Sequence, residues 1–193
     1  MNSRHLTIST VLVFMLAGAV GQADAKTQHL HCTSSETFTA GVETNIDTNA
    51  DDFSANLAQG LENCNIGRLF MQEESEYQTP LSAPVTCPAG SQEYRIQQNH
   101  GVATDEKTSD QLFWEIATNE ATTCLNPDLT FSFTGHGTFA GGTGQFTGAS
   151  GSFDAQSTGS YLVFGFKGGV FGGFGQVTIT SDGTLKLPKD NKD

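Results

Sequence analysis

Tyr94, Gln98, His100 and Trp114 are the residues of this chain best suited to handling a small molecule. Residues 93–104 read as extended chain, whose alternation puts Tyr94, Ile96, Gln98, His100 and Val102 on one face; Leu112, Trp114 and Ile116 share a face on the next run. A histidine moves protons near neutral pH, and aromatic faces stack on a flat or apolar ligand. Glu74, Glu76 and Glu115 are the carboxylates on hand as acid–base partners. The competing expectation is that aromatic residues sharing a strand face are simply core.

Two further groups have ligand chemistry. Asp47-Thr48-Asn49-Ala50-Asp51 begins like a calcium loop, with oxygen donors Asp47, Asn49 and Asp51 at alternate positions. The match then fails, because position six is Asp52 instead of glycine and position twelve is Ala58 instead of glutamate. Glu62 is the one carboxylate placed to return to such a site; a solvated acidic turn is the alternative, and no other cofactor is expected. His29 and His31 flank Leu30, a spacing that puts two imidazoles on one side of a strand. Two ligands make a poor metal site, so an exposed strand end is the expectation there. No G-x-S-x-G, H-E-x-x-H or cysteine–histidine nucleophile pattern is present.

The four cysteines, Cys32, Cys64, Cys87 and Cys124, have no C-x-x-C spacing, which argues against zinc. An even count in an exported chain reads as two disulfides. Cys87 and Cys124 flank the hairpin formed by the two runs above, whose turn falls near residues 105–109. Of the three possible connectivities, the one with Cys87–Cys124 is favoured, because antiparallel pairing brings those flanks together; Cys32–Cys64 is then the second bridge by elimination.

These residues need a scaffold, and the strongest scaffold signal is residues 135–153, G-H-G-T-F-A-G-G-T-G-Q-F-T-G-A-S-G-S-F. Phe139, Phe146 and Phe153 recur every seven residues. A helix here would lose about 1 kcal/mol at each glycine, so two extended runs joined by a tight turn are expected. Residues 28–39, 67–79, 129–133, 161–166 and 174–180 also read as strands, and residues 55–61 as a short helical turn. The second half is glycine-rich: 15 of the 22 glycines and 9 of the 14 phenylalanines lie at or after Phe131. Aromatic anchors among the glycines mark a sheet and exclude a linker. About eight short strands with almost no helix signal predict an all-β fold. A single closed antiparallel barrel is the simplest form, because closure removes exposed edges.

Residues 1–25 read as a cleaved export signal: Arg4 and His5, an apolar run over 6–20, then Ala23-Asp24-Ala25 as the cleavage site. Residues 26–193 then form one domain, secreted or periplasmic, with no membrane anchor. The chain carries a formal net charge of −12, which repels phosphate backbones and excludes nucleic acid as a partner.

The glycine–phenylalanine stretch resembles the G-G-T-G-x-F-x-G-A-T/S-G signature of the allene oxide cyclase and dirigent-like barrels, in particular their secreted bacterial members of unestablished activity. D-x-N-x-D at Asp47, C-P-A-G at Cys87, D-Q-L-F at Asp110 and V-F-G-F-K-G-G-V-F-G at Val163 agree with that pattern. The resemblance implies an eight-stranded barrel with a central cavity. The plant cyclases' catalytic positions find no residue-by-residue match, so it implies no activity. Three functions follow as expectations: a barrel that binds a small apolar or aromatic molecule without catalysis, a cyclase or isomerase acting by confinement, or a filled barrel serving as a structural or surface protein.

Overall fold

A computed structural model describes residues 26–42, 54–78, 81–167 and 170–188. It contains nine antiparallel strands: β1 Lys26–Val42, β2 Ser54–Cys64, β3 Gly67–Tyr77, β4 Gln92–Asp105, β5 Gln111–Ile116, β6 Ala121–Leu125, β7 Thr130–Gly142, β8 Ser150–Lys167 and β9 Val170–Leu187. One 3-10 turn, Gly144–Phe146, joins β7 to β8. The pairings run β1–β2–β3–β4 and β1–β9–β8–β7, and β5 and β6 close the gap between β4 and β7.

Those nine strands occupy eight positions round the barrel. β5 pairs with residues 99–104 of β4, and β6 with residues 92–95. On the other side, β5 meets the end of β7 and β6 its start. The two are therefore one barrel position broken by the turn at 117–120, where Asn119 takes a positive φ and donates its N–H to the Ile96 carbonyl. Full closure satisfies the backbone groups that an open sheet leaves at its edges.

The fold class, the β4–β5 hairpin and the two runs within 135–153 are as expected. Residues 55–61 are not a helical turn. They lie within β2, paired along their length with both β1 and β3, and those two ladders override a weak local preference. The export signal and the Asp47–Asn49–Asp51 loop lie outside the described residues.

Both disulfides are present. Cys32 and Cys64 sit directly opposite each other on β1 and β2, and Cys87 joins the 81–91 segment to Cys124 on β6. Such bridges persist in an oxidising, extracellular or periplasmic compartment.

Glu93 fixes the loop that carries Cys87. Its carboxylate accepts the N–H groups of Val85 at 2.7 Å, Thr86 at 2.7 Å and Cys87 at 3.1 Å, and Arg95 at 2.6 Å. These donors, led by the Thr86 N–H, hold its pKa down at about 2.

Candidate functional site

Side chains alternate strictly across a strand, so each strand sends every second residue into the barrel. On β1 the inward series is Leu30, Cys32, Ser34, Glu36; on β3 it is Leu69, Met71, Glu73, Ser75, Tyr77. The series share an order. An apolar end comes first, built from Leu30, Cys32, Leu69, Leu112, Phe139, Phe153 and Leu185. A polar belt follows: Ser34 and Glu36 of β1, Glu62 of β2, Glu73 and Ser75 of β3, Asn99 of β4 and Ser157 of β8. Beyond it lies an aromatic end, with Tyr77, Tyr94, Phe131 and Tyr161 beside Val177 and Ile179. There Tyr77 and Tyr94 meet edge to face at 6.3 Å, and Phe131 and Tyr161 lie 5.9 Å apart.

Three carboxyls thus share one enclosed layer. Glu36 is 2% exposed and Glu62 5%. Burial pushes Glu36 up, offset in part by the Ser34 hydroxyl. Burial, then the neighbouring charges of Glu36 and Glu73, raise Glu62 to about 8. Burial, then Glu36, raise Glu73 to about 7, against the lowering effect of Asn99. The physical cause is common to all three: removing a carboxylate from water disfavours its charged form, and like charges add to that. Held neutral, a carboxyl gains an O–H and becomes a hydrogen-bond donor.

The belt is short of partners. Among the described residues, Asn99 Oδ1 is buried without a hydrogen-bond partner, although Asn99 Nδ2 donates to Ser75 Oγ at 2.7 Å, and the buried Glu36 carboxyl has no close partner beyond the neighbouring Ser34 hydroxyl. Each buried polar atom left unpaired costs about 1–3 kcal/mol, so such groups are normally met by water or a ligand. Glycine makes room here in two places. A Cβ at residue 60 would run into the Glu36 side chain, and one at residue 101 into the Trp114 ring.

The sequence-derived residues divide between the two sides of the wall. Trp114 is buried and faces inward across Gly101, and Tyr94 faces inward at the aromatic end, donating to Gln92 Oε1 at 2.8 Å. Gln98, His100 and Glu115 do not line the interior. β4 carries one extra residue opposite Glu76 and Tyr77, which switches the inward set from Tyr94 and Ile96 to Asn99, Gly101 and Ala103. Gln98 therefore turns away and donates to Glu76 Oε2 at 2.7 Å, while His100 and Glu115 stand exposed beside each other on the outer face. Glu74 sits across from His100 on that same face. Glu62, expected to reach back toward the Asp47 loop, points into the barrel beside Glu36.

Glu36 and Glu73 escaped sequence reasoning, and for Glu36 a signal existed. Glu36 is four residues from Cys32 and Glu62 two from Cys64, so each shares its cysteine's face. A bridge buried in the core carries both glutamates inside. The donor atoms of Cys32, Glu62 and Cys64 lie within 4.8 Å of one another, but both sulfurs are committed to the disulfide, so this cluster holds no metal while oxidised.

No protein-family model and no curated protein matches the chain. Among solved structures it is similar to the pterocarpan synthase dirigent protein GePTS1, with 11% identity over 88% of this chain and 90% of that one and a TM-score of 0.28. A likeness at that level carries no argument, and the barrel rests on its own strand pairings.

Proposed function

We propose that this chain is an exported, disulfide-stapled barrel, akin to the secreted dirigent-like proteins its glycine motif resembles, that binds a small, largely apolar or aromatic molecule bearing an oxygen acceptor. The supporting observation is the belt. Its buried Asn99 Oδ1 lacks a protein partner, its Glu36 carboxyl has little beyond the Ser34 hydroxyl, and burial favours the neutral, hydrogen-bond-donating form of its carboxyls beside an aromatic end suited to stacking. The apolar run over residues 6–20 and the two disulfides support export.

A neutral apolar probe, N-phenyl-1-naphthylamine, tests the reading by fluorescence titration. Saturable one-to-one enhancement is expected, with aromatic ketones displacing the probe better than hydrocarbons of the same shape. Replacing Glu36 by leucine removes about one hydrogen bond to the ligand and reduces that preference roughly tenfold. Absence of saturable binding refutes the proposal.

One arrangement favours acid catalysis as a second reading: Glu62 and Glu73 share the enclosed belt, where burial raises both toward the range a general acid needs at neutral pH. A cyclase or isomerase would lose turnover in Glu62→Gln while still binding the probe; equal turnover in that variant removes this reading.

A further inference from the structure

Four strands bring a second set of side chains together on the outside of the barrel. His136 of β7 lies opposite Asp154 of β8, Asp154 opposite Asp182 of β9, and Asp182 opposite His31 of β1. The four form one row across the sheet, and His29 stands two residues along β1 on the same face. His31 Nδ1 is 2.6 Å from Asp182 Oδ1, and His29 Nε2 is 3.8 Å from that same oxygen. At the other end of the row, His136 Nδ1 is 2.8 Å from Asp154 Oδ1.

We propose that His29, His31 and Asp182 form a surface site for a divalent transition-metal ion of the zinc–copper class, with Asp154 adding charge from the next strand. Zinc holds nitrogen and oxygen donors at about 2.0–2.2 Å, which places two donors on one ion roughly 3.3 Å apart. The two distances from Asp182 bracket that spacing, but the three donors do not all lie within 4.8 Å of one another, so the site closes only when an imidazole turns in. His29 is 70% exposed, so its ring has room to turn toward the ion.

The backbone beneath the pair is already fixed. Asn65 donates its N–H to the His31 carbonyl at 3.0 Å and its Nδ2 to the His29 carbonyl at 2.9 Å, and its Oδ1 accepts the His31 N–H at 3.1 Å. The adjacent Cys32–Cys64 bridge locks the same corner. Ligands carried on a rigid strand lose little freedom on binding.

Charge supplies an independent argument. Asp154 and Asp182 face each other directly across the β8–β9 ladder, an arrangement that destabilises a sheet. A bound cation converts that repulsion into attraction. Two imidazoles with a carboxylate select zinc or copper over calcium, which takes oxygen donors alone.

Isothermal titration of zinc chloride into the untagged, disulfide-intact protein tests the assignment. One zinc per chain with micromolar affinity is expected, unchanged by excess calcium. Asp182→Asn and His31→Gln should each weaken it about tenfold or more. His29→Gln, at an exposed position without a packing role, gives a third reading should either variant unfold. The assignment is overturned if no saturable zinc binding is seen up to about 1 mM, if calcium competes, or if the folded variants bind as the parent does.

Discussion

The buried carboxyls make stability fall as pH rises, which reverses the usual behaviour of an acidic protein leaving acid conditions. Glu62 is raised from 4.5 to about 8 and Glu73 from 4.5 to about 7. Below the unfolded value both states are protonated and neither group has an effect. Above it the unfolded chain ionises first, while the folded chain keeps its protons until the pH passes the raised values. The folded state therefore binds more protons across that window, and each group lowers stability by up to about 1.4 kcal/mol per pH unit. Between pH 5.5 and 6.5 both groups act together, for a loss of roughly 2–3 kcal/mol. Glu36 is shifted the same way and adds to it. Glu93, whose pKa is lowered, has completed its contribution below this window. Urea unfolding, followed by the fluorescence of the single tryptophan, Trp114, measures the slope. The Glu62→Gln/Glu73→Gln variant keeps shape and removes the charge, so its difference from the parent isolates the two groups from general charge repulsion. If parent and variant show the same slope over this interval, these carboxyls are not held neutral and the account of the belt fails.

Two further outcomes follow from local geometry. Stability contributed by Glu93 is complete above about 4.5 and is lost as pH falls through about 2; at neutral pH, Glu93→Gln should open the 81–91 loop to proteolysis, and cleavage rates equal to the parent's would show that the three N–H groups need no carboxylate. A side chain at position 101 collides with the Trp114 ring, so Gly101→Val should cost about 1–3 kcal/mol and shift the tryptophan emission to the red; an unchanged spectrum and midpoint would mean that the ring does not lie across β4.

Alternation and composition were enough to establish an all-β chain, the β4–β5 hairpin and the corner between β7 and β8, because each depends on residues close in sequence; the cysteine count indicated two disulfides and favoured one of three pairings, which the structure selects. They also placed Trp114 and Tyr94 inward. They failed where the period broke. One extra residue in β4 reversed the faces of Gln98 and His100, and a bulge is settled by the partner strand, not by the residues themselves. Glu115 is a different case, since alternation from Trp114 already sends it outward. Residues 55–61 became strand because β1 and β3 pair with them on both sides. The two clusters with chemistry in them are products of long-range pairing. The belt needs residues 34, 36, 62, 73 and 99 to meet inside a closed barrel, and His31 meets Asp182 across 151 positions of chain. A one-dimensional pattern records which side of its own strand a residue takes. Which residues then share a layer depends on strand order and stagger, and those are fixed when the barrel closes.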